Sequence, residues 1–446
     1  MLNIGFVIYS KSQVNSFLKS GVIADLHELS NLTVFYQDIN LVEDVFTSVK
    51  LKKLPKFSIL LKKISSLVQM AALWKFKDRS MNQTVRAYAS FGSKSQRAKW
   101  NCVVVSEMNI SWIKRILIRL LSHSFFFSFL KLIELALRFI FTRIQFREYL
   151  KDLDLLIIPF SGHVAMDFGS YVWLARKMKI KSLALQENWD NLSTKTFILE
   201  EPDLFGVWGE QSRGHVRSVH RLFKTKTYIV GSPRFDPYYS QARNTPMVSL
   251  IDNSEAEVFQ PYILMAGTGD GADDLLLIEE IFRAIKNLKN SKVKLVYRPH
   301  PQTRTVQDYF GMQVKYPEII IDGGGKSKNF GHQIPLVQNC TLLINHFSTL
   351  SLEGLIAGVT VIVPLYIGRT SAKYRYSHIV NEWHHMMGVG LLGKLIMPKS
   401  SEEFNTVLQI ELDKISSEIK FPTSIDWICQ KSNYTAELYK IIESEL

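Results

Sequence analysis

Two consecutive α/β units, each a Rossmann-like layer of strands and helices and the two facing each other across a cleft, are the architecture this sequence predicts. Three observations predict it. The chain has 446 residues, beyond the ~250–300 at which single cores stop growing. Apolar runs alternate with polar helical stretches throughout, the pattern of parallel sheets covered by helices. The alternation is interrupted over residues 240–259, where Asn244-Thr245-Pro246 and Asp252-Asn253-Ser254 have loop composition, and then starts again.

In the first half, strands are predicted at 3–9, 32–36, 102–105, 155–160, 182–186, 204–208 and 228–230. The second half restarts with 262–266, a helix over 273–288, strands at 292–298, 318–322, 342–345 and 360–364, and helices over 401–414 and 426–444. This divides the chain into a first domain, 1–240, carrying a basic amphipathic insertion at about 50–148, and a second domain, 260–424. A C-terminal helix within 425–446 is expected to cross back to the first domain. Doubly wound layers place ligands outside the carboxyl ends of their strands, so a shared site is expected in the cleft.

Composition narrows the class. Hydrophobic residues make up 46% and charged residues 21%, which excludes a disordered chain. Cys102, Cys340 and Cys429 are odd in number and lack metal or redox spacing, so a reducing, cytoplasmic setting is expected. The segment Met1-Leu2-Asn3-Ile4-Gly5-Phe6-Val7-Ile8-Tyr9 reads as a strand rather than a signal peptide.

The net charge of +13 is concentrated. Residues 51–100 hold twelve Lys/Arg against one acid, Asp78. Residues 112–147 follow, aromatic-rich and interrupted by charges, with no uncharged run near the ~20 residues a spanning helix needs. The pair predicts peripheral attachment to an anionic membrane, on its cytoplasmic inner face; a core helix or subunit contact is the alternative. No nucleic-acid motif accompanies the charge, so no nucleic-acid partner is expected.

The densest constellation follows the strand at 342–345: His346-Phe347-Ser348-Thr349-Leu350-Ser351-Leu352-Glu353-Gly354. A strand that delivers two hydroxyls to a helix N-terminus suits a phosphate, because exposed N–H groups and the positive dipole end lie there. Glu353, one turn on, can hold a ribose hydroxyl or the loop; Ser348 can also be a plain helix cap. Val296-Tyr297-Arg298-Pro299-His300-Pro301 ends another strand, and the flanking prolines fix the backbone at His300. Arg298, His300 and Arg304 can bond a phosphate whose charge grows as a nucleotide leaves. Gly267-Thr268-Gly269-Asp270-Gly271 lets backbone approach a ligand at Gly267 and Gly269, or makes a turn.

Arg298-Pro299-His300-Pro301 with Ser348-Thr349 and Glu353 resembles the donor-site signature of GT-B enzymes of bacterial surface carbohydrate synthesis. CDP-glycerol glycerophosphotransferases, capsular Kdo transferases, polysialyltransferases and, more distantly, non-hydrolysing UDP-GlcNAc 2-epimerases share it in outline. The resemblance covers about residues 150–390. It implies a nucleotide-sugar donor, phosphate contacts from His300, Ser348 and Thr349, and a glycan or lipid-linked acceptor.

In the first domain, Pro159-Phe160-Ser161-Gly162-His163, Asp167 and Leu185-Gln186-Glu187-Asn188-Trp189-Asp190-Asn191 fall at or after strand ends, and Trp-Asp-Asn there is similar to the same branch. An inverting transfer needs a base for the acceptor hydroxyl, for which Glu187, Asp190, Asp167 and His163 are the candidates. Asp190 as a cap and Glu187 as a structural acid are the alternatives. Asp152-Leu153-Asp154 precedes its strand, and neighbouring His384 and His385 point apart on a helix, so no metal and no other cofactor is expected. Glycosyl transfer is the expected activity. Transfer of a polyol phosphate from a CDP-alcohol, UDP-sugar 2-epimerisation and a non-catalytic membrane-associated assembly role are the alternatives.

Overall fold

The computed structural model describes residues 1–10, 13–18, 20–37, 49–76, 79, 112–161, 165–240, 261–267, 274–287, 293–299, 314–322, 330–366, 384–414 and 422–446. Within them the first unit runs β1 (Asn3–Ile8), α1 (Val22–Leu29), β2 (Asn31–Tyr36), β3 (Lys50–Lys53), α2 (Ile59–Lys75), α3 (Trp112–Leu121), α4 (Ser124–Leu150) and β4 (Leu155–Phe160). It continues with α5 (Ala165–Met178), β5 (Lys181–Gln186), β6 (Leu204–Val207), α6 (Glu210–Ser218), β7 (Lys226–Ile229) and α7 (Asp236–Ser240). The second unit runs β8 (Tyr262–Ala266), α8 (Asp274–Asn287), β9 (Lys294–Arg298), β10 (Ile319–Ile321), α9 (Phe330–Asn339), β11 (Leu342–Asn345), α10 (Thr349–Ile356), β12 (Thr360–Ile362), β13 (Leu395–Ile396) and α11 (Ser401–Asp413). α12 (Tyr434–Glu445) closes the described chain.

Two separate sheets result, seven strands in the order β3-β2-β1-β4-β5-β6-β7 and six in the order β10-β9-β8-β11-β12-β13. Every pairing in both is parallel. The central strands are buried on both faces, as fully apolar runs such as Leu155–Phe160 and Tyr262–Ala266 require. One face of the first sheet is covered by α2, α4 and α5 through Leu61, Phe146, Phe168 and Tyr171; the other by α1 and α12 through Ile23, Leu26, Leu438 and Ile441. This is the predicted fold: two Rossmann-like domains facing across a cleft.

Several boundaries differ from expectation. β3 is a strand that no apolar run announces, since Lys50-Leu51-Lys52-Lys53 is nearly all basic; it lies on the sheet edge, where lysines are tolerated and discourage further pairing. The stretch 112–147 forms two helices broken at Ser122-His123 instead of one continuous segment. The last helix begins at Tyr434, not near 426, because Asn433 caps it by accepting from the Ala436 N–H.

Residues 422–433 run from the second domain back to the first. The Thr423 N–H donates to the Leu355 carbonyl, Gln211 N–H to the Trp427 carbonyl, and Gln430 N–H to the Trp208 carbonyl, each at 2.9 Å. α12 then docks on the first sheet, where Glu445 bonds Lys181, Lys226 and Tyr228. The expected strand at 102–105 and the linker at 241–259 lie outside the described residues.

Candidate active site

Both sheets reverse their winding direction at one place, between β1 and β4 in the first and between β8 and β11 in the second, and a crevice opens at such a switch point. In the second sheet, register sets the expected residues side by side. Ala266 is level with both Arg298 and Asn345, so Gly267, Arg298 and the segment from Asn345 to Ser348 share one edge. The Gly267 N–H donates to the Arg298 carbonyl at 2.9 Å, and the Arg298 guanidinium pairs with Asp322 at 2.5 Å beyond β10.

The turn into α10 is knitted by hydroxyls and an amide. The Ser348 Oγ accepts from the Leu350 N–H at 3.3 Å and from the Asn345 Nδ2 at 3.1 Å. In return the Ser351 Oγ accepts from the Ser348 N–H at 3.1 Å and donates to the Asn345 Oδ1 at 2.9 Å. Ser348 therefore is a helix cap, the simpler of its two expected roles. Because both its bonds use the oxygen as acceptor, its O–H remains able to donate, so capping does not compete with holding an anion. Gly354 lets α10 sit close on the sheet: a Cβ there would stand 2.7 Å from the Leu343 side chain. Behind the turn, burial holds His346 neutral, its pKa pulled down to about 4.

Of the two expectations for Glu353, a ribose hydroxyl or the loop, its contacts in the structure are all within the protein. It is fully buried and receives Arg234 and Gln333, with the Tyr238 hydroxyl at 2.7 Å. Burial pulls the Arg234 pKa down, but the Glu353 carboxylate outweighs it and holds the guanidinium above its usual value. Arg234 and Tyr238 follow β7, so Glu353 fastens the segment leaving the first domain to α10 of the second. The physical reason is position: one turn into a helix packed on a sheet, residue 353 faces the packing and not the crevice.

In the first sheet, Phe160 is level with Gln186, and the Glu187 N–H donates to the Phe160 carbonyl at 3.3 Å. Buried Gln186 shapes the turn that follows, its Nε2 donating to the carbonyls of Asn188 at 3.0 Å and Trp189 at 3.3 Å. Glu187 itself is buried, and the Tyr9 phenol lies near enough that burial first, and then the Glu187 charge, push the Tyr9 pKa well up. Asp167, in the first turn of α5, lies 3.7 Å from Lys62. Asp190 is half-buried at the N-terminus of a π turn, Asn191–Lys195.

Of the Trp-Asp-Asn motif, two members are structural. The Asn191 Nδ2 donates to the Phe160 carbonyl at 2.8 Å, and Trp189 packs against Phe347 and His385 of the second domain with ring centres 5.4 and 4.8 Å apart. Ser193 Oγ and His385 Nδ1, 2.8 Å apart, add a polar bond across the same contact. The site thus brings Glu187, Asp167 and Asp190 to the first row of strand ends, and Gly267, Arg298, Ser348 and Thr349 to the second. His163, Gly269, His300 and Arg304 lie outside the described residues. Sequence reasoning missed Tyr9, Arg234 and Tyr238; Tyr9, the residue after the first strand, carried a positional signal, the other two none. Among the described residues no group of three or more His, Cys, Asp or Glu is arranged to hold a metal.

No protein-family model matches the chain, and no curated protein matches its sequence. Solved structures match its fold. UDP-GlcNAc 2-epimerase from Neisseria meningitidis bound to UDP-GlcNAc is similar at a TM-score of 0.51 and 9% identity, over 100% of both chains. The UDP-GlcNAc 2-epimerase from Methanocaldococcus jannaschii is similar at 0.50 and 11% identity, over 99% of each chain. The glycotransferase of kitacinnamycin is similar at 0.50 and 10% identity, over 100% of this chain and 99% of that one. The chain has the GT-B fold, in which these structures agree along their whole length.

Proposed function

We propose that this protein is a glycosyltransferase that moves a sugar from a nucleotide-activated donor to a hydroxyl of a surface polysaccharide or a lipid-linked glycan. The observation that carries the reading is the row of strand ends at the second switch point, which combines a helix N-terminus, a hydroxyl donor and a guanidinium. Such a row favours the donor diphosphate and, more strongly, the charge that grows on it as the bond to the sugar breaks. In the transfer, the acceptor oxygen bonds to the anomeric carbon, the donor's sugar–phosphate bond breaks, and the nucleotide departs with the electron pair. The acceptor proton goes to a carboxylate of the first row, which we assign to Glu187, because it directly follows β5, where its N–H bonds the Phe160 carbonyl at the adjacent strand end. His300 and Thr349 add phosphate contacts in this reading.

A second reading, UDP-sugar 2-epimerisation, is favoured by the two epimerases among the structures above. The two readings part on one requirement, an acceptor. A panel of radiolabelled nucleotide sugars, incubated with and without a glycan acceptor fraction and with EDTA, tests both. Label passing to the glycan only when acceptor is present, and undiminished by EDTA, is the expected result. Conversion of the donor sugar without acceptor overturns it in favour of epimerisation, and loss of transfer in EDTA restored by a divalent ion overturns metal independence.

A further inference from the structure

α4 is turned inside out. A helix on a globular domain ordinarily buries its apolar stripe and exposes its charges. Here the buried stripe is Leu130, Glu134, Arg138, Thr142, Phe146 and Leu150, spaced four apart, and its middle is charged. The Arg138 guanidinium bonds Glu134 at 2.7 Å and Glu200 at 2.9 Å, and Lys131 joins Glu200 at 2.9 Å. These buried ion pairs fix the rotation of the helix, since turning it would strip desolvated charges of their partners.

The opposite face is apolar and open. Phe125 is 71% exposed, Phe129 56%, Ile140 62% and Ile144 83%. α3 continues the same surface: Ile113, Ile116, Leu117 and Leu120 recur at helical spacing and are exposed as well, while Ile118 is buried. A contiguous surface of this kind marks an interaction site. The helices do not cross a bilayer, because among the described residues no helix is long and apolar enough.

Charge selects the occupant. α3 and α4 together contain seven Lys/Arg and two acids, Glu134 and Glu148; Arg138 and Lys131 are taken up by Glu134 and Glu200, and Glu148 by Lys151, while the sequence of the two helices sets no further acid against the other five. α2, packed alongside, adds Lys62, Lys63 and Lys75, the last bonding Ser124 Oγ at 2.8 Å at the turn between α3 and α4. A second copy of this chain would bring cation against cation, whereas an anionic lipid surface takes both the apolar side chains and the charge. We propose that α3 and α4 form the surface by which this protein docks on an anionic bilayer, lying in the headgroup layer without spanning it. The proposal rests on the first domain alone and stands apart from the catalytic reading.

Cosedimentation of the full chain with phosphatidylglycerol–phosphatidylcholine vesicles, and with phosphatidylcholine alone, tests it. The unmodified protein is expected to pellet with the anionic vesicles, and about 1 M salt, where the screening length shrinks to ~3 Å, should weaken binding only in part. The variant Phe125→Ser, Phe129→Ser, Ile140→Ser, Ile144→Ser should lose at least ~10-fold in partitioning, because four apolar side chains no longer leave water. A single Phe129→Trp variant should keep binding and, relative to the parent, shift its emission to the blue with anionic vesicles, a readout that stands even where the fourfold variant folds poorly. Protein that stays in the supernatant with both vesicle types, or an emission of the Phe129→Trp variant that vesicles leave unmoved, overturns the proposal. So does a parent that is dimeric in solution and a fourfold variant that is monomeric, neither binding vesicles, which would assign the face to a second copy.

Discussion

The two rows of strand ends are built in opposite senses. On the second sheet the strand ends present the N-terminus of α10, the Ser348 hydroxyl and Arg298, whose guanidinium is paired with Asp322. On the first sheet the corresponding positions carry acids and a phenol, Glu187, Asp167 and Tyr9. One fold makes both, so the difference lies in the few residues after each strand and not in the sheets that carry them.

The sharpest way to break that contrast is to remove the acid. Glu187→Gln should lower turnover by about 10³-fold, within the range for a lost general base. Asp167→Asn and Asp190→Asn should each stay within ~10-fold of the parent. A Glu187→Gln enzyme with near-parental turnover would move the base to one of those two.

Acid should loosen both rows over the same window, because buried His220 holds the loop after β5 and buried His346 lies behind the turn into α10. The His220 Nδ1 accepts from the Ile198 N–H at 3.1 Å and its Nε2 lies 3.0 Å from the Leu192 carbonyl; burial lowers its pKa to about 4. Between pH 6.5 and about 4 the unfolded chain binds a proton that the folded chain refuses, so stability falls as pH drops through that window and levels off below it. The cost by pH 4 is roughly 3 kcal/mol, at ~1.36 kcal/mol per pKa unit. Denaturant melts at several pH values should show this slope in the parent and a flatter one in His220→Gln.

Arg298→Ala, on the second row, and His300→Ala should each reduce turnover by ~10²-fold, as expected for one preorganised contact to developing charge. Steady-state kinetics on variants with parental melting would check it, and unchanged kcat would make either residue structural. The smallest effect is expected at Ser348→Ala. Losing the cap should cost ~1 kcal/mol in a denaturant melt and raise the KM for the donor, while leaving the first row untouched.

Much of this contrast was legible in the sequence, and for a physical reason. Strands buried on both faces must be apolar throughout, so Leu155–Phe160, Tyr262–Ala266 and Leu342–Asn345 stood out with both ends correct, and strand ends are where the site lies. Edge strands carry no such requirement, which hid Lys50–Lys53 and the two-residue β13. The partners of Glu353 were hidden because contacts spanning 119 and 115 residues leave no local pattern. Composition showed that 112–147 mixes apolar and basic residues; only the packing shows which of them point inward.

The return of the chain to its first domain has a bearing on how the protein is made. Tyr434, Leu438, Ile441 and Ile442 belong to the same apolar layer as Ile4, Phe6 and Ile8 on β1. β7 is finished about two hundred residues before Tyr434 is added. At ~5–20 residues per second of synthesis, the part of the first sheet that α12 covers beside α1 stays open for roughly 10–40 s after the last strand is complete. During that interval the second domain, whose strands and helices all lie between, has every element it needs. A nascent chain stalled before residue 434 should therefore hold a protease-resistant second domain and a first domain still open to cleavage.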